Sequence, residues 1–193
     1  MSKIAILVDD MFEDSELRIP YDRLRAAGHQ VDLVGKEAGR EVVGKQGKER
    51  VTIDKSVRDV SEKHYDALVI PGGYSPDRLR TDRDAVRLTR ATAMANKPVA
   101  AVCHAPWMLI EADLVDDLTV TSWPSVRTDL INAGARWIDR EVVVDGNIIT
   151  SRKPDDLVAF SDAILRQLAE GVPERTQPMR RGEDGREPSR TMH

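Results

Sequence analysis

The chain reads as an α/β domain built on an open, mostly parallel sheet with helices on both faces. Three observations predict this: short β-branched apolar runs recur along the sequence, amphipathic helical patterns separate them, and glycine or asparagine closes several of those patterns. Apolar runs that lack the alternation of a half-exposed strand belong to parallel strands covered on both faces.

The strands are expected at Lys3 to Val8, Gln30 to Val34, Ala67 to Ile70 and Pro98 to Val102, each bounded by turn signals. A first helix is expected over Glu16 to Ala27, where Leu17, Tyr21, Leu24 and Ala27 recur at helical spacing before Gly28. Thr81 and Asp84 form a capping box for a second helix from about Asp82 to Ala95, stopped by Asn96. Glu141 to Thr150 reads as a small hairpin decorating the sheet, with the turn at Asp145-Gly146 because those residues tolerate positive φ. A last helix from about Asp155 to Leu168 carries Leu157, Phe160, Ile164 and Leu168 on one side.

The 193 residues fit a single domain over 1–171. The segment 172–193, rich in Pro, Arg, Glu, Gly and Ser, lacks the apolar content to order itself and is expected to be a flexible tail without a catalytic role. With 29 basic and 33 acidic residues and a net charge of −4, the chain offers no electrostatic attraction to nucleic acid or to an anionic membrane surface. Its first apolar run is too short for a signal sequence or a membrane span, and a single cysteine allows no internal disulfide, so a reducing cytoplasm is the expected setting. There is no metal-ligand spacing, no dinucleotide fingerprint and no phosphate loop, so no metal and no cofactor is expected.

In sheets of this kind ligands bind beyond the carboxyl ends of the strands. Three segments end strands on that edge: Phe12-Glu13-Asp14, Pro71-Gly72-Gly73 and Cys103-His104-Ala105-Pro106. Cys103 falls at a strand-to-helix elbow, where the helix N-terminus favours thiolate, and it is the candidate nucleophile. A lone cysteine is otherwise a small buried hydrophobe; the elbow and its neighbours argue for reactivity. His104 is the candidate general base, provided the turn is abrupt enough for adjacent side chains to share one pocket. Gly73 and His104 supply backbone N–H groups for an oxyanion hole. Glu13 is either a solvated acid complementing a helix start or, if buried against the sulfur, a protonated donor to the thiolate. His29, His64 and His193 read as surface residues.

The blocks Phe12-Glu13-Asp14-Ser-Glu16-Leu17, Asp66-Ala-Leu-Val-Ile-Pro-Gly-Gly73, Lys97-Pro-Val-Ala-Ala-Val-Cys-His104 and Ile131-Asn-Ala-Gly-Ala-Arg-Trp137 together resemble the PfpI-type intracellular peptidases of the class I glutamine amidotransferase-like superfamily. The resemblance covers nearly the whole chain to Gly171. It implies a flavodoxin-like three-layer sandwich with Cys103 as nucleophile, His104 beside it, Glu13 as the acid touching the sulfur and Gly73 in the oxyanion site. It also implies a carboxylate from a neighbouring subunit that orients the histidine. Asp77 takes that position where many relatives have Glu, and the site would then be completed in a homodimer or a hexamer of dimers.

The expected function is cysteine-dependent attack on an electrophilic carbon: a small reactive aldehyde such as methylglyoxal, a glycated group, or a peptide or amide carbonyl. The absence of a long insertion for a peptide groove, and narrowing of the pocket by Trp107 or Tyr74, favour the small aldehyde. The competing expectation is a thiol redox or stress sensor, or a chaperone-like protein without turnover.

Overall fold

The computed structural model describes residues 1–173; the expected tail from residue 174 on, with His193, lies outside the described residues. The elements in chain order are β1 (Lys3–Leu7), α1 (Asp14–Ala26), β2 (Gln30–Gly35), β3 (Glu41–Val43), β4 (Arg50–Thr52), β5 (Lys55–Ser56), β6 (Ala67–Ile70), α2 (Ser75–Leu79), α3 (Arg83–Met94), β7 (Val99–Val102), α4 (Pro106–Glu111), β8 (Thr119–Val120), α5 (Arg127–Asn132), β9 (Arg136–Trp137), β10 (Val142–Asp145), β11 (Ile148–Ser151) and α6 (Leu157–Glu170). Seven strands form the main sheet in the order β10-β11-β7-β6-β1-β2-β5, parallel throughout except for β10.

Alternation along the strands divides the core into two layers. Ala5, Leu7, Leu68, Ile70, Val99 and Ala101 face α3 and α4, while Ile4, Ile6, Ala67, Val69, Ala100 and Val102 face α1 and α6. The result is the α/β three-layer sandwich expected from the sequence.

Two local expectations are corrected. The α3 cap is Asp82, whose carboxylate accepts from the amides of Asp84 and Ala85, while the Thr81 hydroxyl donates to the Arg78 carbonyl instead. The shorter acceptor directly before the helix reaches two orphan amides at once. The hairpin is part of the main sheet, since β11 pairs in parallel with β7. Its two loop residues are Gly146 and Asn147, and only Gly146 has positive φ.

The topology positions the site. From β1 the chain moves outward to β2, then returns to the other side of β1 as β6 and continues to β7. The strand order therefore reverses between β1 and β6, which opens a crevice at their carboxyl ends. Phe12 and Gly73 bridge this crevice, and Tyr74 N–H donates to the Met11 carbonyl at 2.8 Å. The fully buried Phe12 side chain contributes roughly 2–3 kcal/mol and pins the segment leading into α1.

Candidate active site

Cys103 follows the last residue of β7 and takes a left-handed conformation, φ 63°. Its amide donates to the Ser151 carbonyl at 3.0 Å and its carbonyl accepts from Trp123 N–H at 2.9 Å, so both neighbouring chain segments hold the turn. The sharp reversal brings adjacent side chains together: Nδ1 of His104 lies 3.2 Å from Sγ. The other ring nitrogen, Nε2, lies 3.3 Å from the Ser125 hydroxyl, and the imidazole sits between Trp107 and Trp123 with ring centroids at 5.3 and 6.3 Å.

Backbone amides of Gly73 and His104 both donate toward the Cys103 sulfur. Gly73 can do this because it adopts φ 77°; a side chain there would meet the Met11 carbonyl and Glu13 amide at 2.5 Å. The two amides named from the sequence thus both act on the sulfur itself.

The acid against the sulfur is Glu16, not Glu13. Glu16 is fully buried, with one carboxyl oxygen accepting from Gly72 N–H at 2.8 Å and the other taking no regular hydrogen bond. A Cβ at Gly72 would lie 2.6 Å from the Glu16 carboxyl and 2.7 Å from the Cys103 Cβ, so glycine here lets the two side chains meet. Glu13 precedes α1 and turns the other way, pairing with Lys45 at 2.7 Å and accepting from the Gln46 amide at 2.8 Å. Glu16 lies in the first turn of α1, on the same face as buried Pro20 and Leu24, which points it into the sheet.

Burial pushes the Glu16 carboxyl up to about 8, against the Gly72 amide, the hydrogen bond with Cys103 and the Lys45 charge, which pull it down. Burial, then the Glu16 charge, also pushes the Cys103 thiol up, while the amides of Gly73 and His104 oppose this. Burial and the nearby Lys45 ammonium hold His104 below its ordinary value, so the imidazole is neutral at neutral pH. The pair of Cys103 and Glu16 carries at most one negative charge at such pH. The thiol is left well above the carboxyl, so both groups hold their protons at neutral pH, and the amides of Gly73 and His104 favour the thiolate when it forms beside protonated Glu16.

Asp77 lies in α2 and lines a groove with Arg80, Arg83, Arg87 and Glu111, whereas the imidazole contact within the chain is made by Ser125. Reasoning from sequence missed Glu16, Lys45 and Ser125. A signal existed for Glu16: it stands four and eight residues before two positions on the apolar side of α1.

The model of the DJ-1/PfpI family matches residues 2–167. The chain belongs to the DJ-1/PfpI family. Among its DJ-1/PfpI relatives, Protein/nucleic acid deglycase 2 of Escherichia coli is 48% identical over 167 residues, covering 86% of this chain and 97% of that protein. The "Putative cysteine protease YraA" of Bacillus subtilis is 49% identical, covering 86% and 98%. Of solved structures, Drosophila melanogaster DJ-1beta superposes with a TM-score of 0.81 at 30% identity, covering 89% of this chain and 92% of that one. The chain also matches about half (52%) of a two-domain protein from Anabaena variabilis with DJ-1/ThiJ/PfpI-like and ferritin-like domains, at 38% identity, a TM-score of 0.87 and 95% coverage of this chain.

Proposed function

We propose that this protein is a cysteine-dependent enzyme acting on small reactive aldehydes and on groups glycated by them, with Cys103 as nucleophile and Glu16 as its proton donor. The observation that carries the reading is the meeting of the fully buried Glu16 carboxyl and two backbone amides on the sulfur of Cys103, a buried residue only 6% exposed. Such a sulfur suits a small carbonyl better than a folded or extended peptide. The groove lined by Asp77, Arg80 and Arg83 does not have Cys103 among its lining residues. The similarity to a protein named for deglycase activity supports the same reading, and the similarity to one named a cysteine protease keeps amide carbonyls within the same attack chemistry.

In the proposed reaction Sγ attacks the aldehyde carbon of a 1,2-dicarbonyl. The C–S bond forms as the carbonyl π pair moves to oxygen, which takes the Glu16 proton and leaves a hemithioacetal. Neutral His104, 3.2 Å from the sulfur, is placed to remove the C–H proton and return it to the neighbouring carbon. The former aldehyde carbon is oxidised and the neighbouring carbonyl carbon reduced, so no external oxidant is needed. Water then cleaves the thioester, releasing a 2-hydroxy acid and the free cysteine. Protein bearing an early glycation adduct would be attacked at the same carbon, with the amine or guanidine as leaving group.

Asp77 of a second copy as the group orienting His104, in a homodimer or hexamer, and a cytoplasmic setting belong to this proposal too. Among the described residues no helix is long and apolar enough to cross a membrane. A stress-protective role is supported by 46% identity to General stress protein 18 of Bacillus subtilis. The test is methylglyoxal consumption by wild type, Cys103→Ala and Glu16→Gln, with casein hydrolysis and peroxide oxidation followed by intact mass as parallel assays. Turnover lost in Cys103→Ala supports the proposal. Wild type inert toward the aldehyde overturns it, in favour of amide hydrolysis or thiol sensing according to the parallel assay that responds.

A further inference from the structure

The turn joining β3 to β4 is fastened to the site by an unusual number of bonds. Asp14, buried at the start of α1, accepts from the amides of Gln46, Lys48 and Glu49 at 2.9, 2.9 and 2.8 Å. Burial alone would push its carboxyl up, but these amides outweigh it and hold Asp14 ionised below the usual carboxylate range. Gly44 packs so closely on this carboxylate that a Cβ would fall 2.4 Å from it, and Lys45 N–H donates to the Phe12 carbonyl at 2.8 Å. The clamp thereby delivers two side chains to the site edge: the Gln46 amide, 2.8 Å from one Glu13 oxygen, and the Lys45 ammonium, 2.7 Å from the other.

Lys45 does more than neutralise Glu13. Its partner Glu13 donates through its backbone amide to the Gly72 carbonyl at 3.1 Å, and Gly72 packs against both Glu16 and Cys103, so the ammonium, 35% exposed, stands at the edge of that pair and its charge couples to Cys103, Glu16 and His104. The charged and titratable groups around the sulfur are then Glu16 from α1, Glu13 ahead of it, His104 from the elbow and Lys45 from the clamped turn. Lys45 is the cation among them while His104 is neutral.

We propose that Lys45, held in place by Asp14, is a positioning residue that sustains the Cys103 thiolate and gives the site a preference for carbonyl compounds carrying an anionic group. An ammonium that is stabilised by a thiolate stabilises that thiolate equally. It also offsets Glu13, whose carboxylate would otherwise oppose a second negative charge nearby. The inference rests on Cys103 being the nucleophile, and its test needs no aldehyde turnover.

The experiment is alkylation of the full chain by neutral iodoacetamide and by anionic iodoacetate, followed by mass spectrometry across pH in wild type, Lys45→Met, Lys45→Arg, Glu13→Gln and Asp14→Asn. In Lys45→Met the iodoacetamide profile moves to higher pH and the iodoacetate-to-iodoacetamide rate ratio falls about threefold or more, as expected for loss of one partly screened charge. Lys45→Arg retains the wild-type profile, Glu13→Gln raises the ratio by leaving the ammonium unpaired, and Asp14→Asn shifts both readings toward Lys45→Met. An unchanged profile and ratio in folded Lys45→Met overturns the proposal, as does a Lys45→Arg profile equal to that of Lys45→Met. If methylglyoxal is not consumed but these shifts occur, only the substrate reading fails.

Discussion

Nδ1 of His104 stands 3.2 Å from Sγ of Cys103 although the two residues are neighbours in the chain. The contact exists because Cys103 occupies the left-handed region at φ 63°, where a residue with a Cβ is strained by about 1–2 kcal/mol. Glycine carries no such strain. Cys103→Gly should therefore be at least as stable as Cys103→Ala, by about 1 kcal/mol in urea unfolding, despite glycine's larger entropy in the unfolded chain. A clear advantage for alanine would show that the elbow is relaxed.

Glu16 gives a pH signature with a definite sign. Its carboxyl is raised from 4.5 to about 8 in the folded chain, chiefly by burial. Between those values the folded state holds a proton that the unfolded state has released, so stability is greatest below about 4.5 and is lost as pH rises toward 8, other groups being equal. The loss approaches about 1.4 kcal/mol per pH unit. Glu16→Gln should flatten this dependence, unfold at a higher temperature than wild type at pH near 8, and lower aldehyde turnover at least tenfold. A mutant whose thermal midpoint tracks the wild type across pH would locate the raised carboxyl elsewhere.

The elements that surround this pair differ in how legible they were. The strands that became β1, β6 and β7 are nearly continuous apolar runs whose burial on both faces is written in their composition, while β2 carries Gln30 and Asp32 on its less buried side, and together they fixed which loops meet. Cys103, His104 and Gly73 followed from lying within three residues of the ends of β7 and β6. The β3–β4 and β8–β9 pairs are two or three residues per strand, too short for periodicity to register. The exchange of Glu13 for Glu16 came from the helix start: with α1 beginning at Asp14, the residue one turn later points inward and the capping residue does not. Ser125 and Lys45 reach the site from loops distant in sequence, and no local pattern announces such contacts.

Gly72 lets Glu16 approach Cys103 only by having no side chain. Its φ is unremarkable for an L residue, so Gly72→Ala tests the close approach alone. The new methyl would press on the Glu16 carboxyl at 2.6 Å, the Cys103 Cβ at 2.7 Å and the Val102 carbonyl at 2.9 Å. Overpacking of this kind costs about 1–3 kcal/mol. The variant should fold with that deficit and lose more than tenfold in Cys103 alkylation and in aldehyde turnover together. Loss of stability with wild-type reactivity would mean that the Glu16 contact is dispensable.

Ser125 and Asp77 offer two ways of orienting His104, and they make different predictions. Within the chain the Ser125 hydroxyl lies 3.3 Å from Nε2, which leaves Nδ1 directed at the sulfur. Removing one such neutral hydrogen bond costs about 0.5–1.5 kcal/mol, so Ser125→Ala should lower kcat roughly threefold to tenfold with little change in KM, and Ser125→Thr should recover most of it. Asp77→Asn should leave that loss unchanged if orientation is local. If Asp77 of a second copy does the orienting, Asp77→Asn should cost more than Ser125→Ala, and wild-type activity per subunit should fall on dilution below the assembly threshold. Measuring kcat for both variants over a dilution series, with mass determined by light scattering at each point, separates a site complete in one chain from one completed between copies.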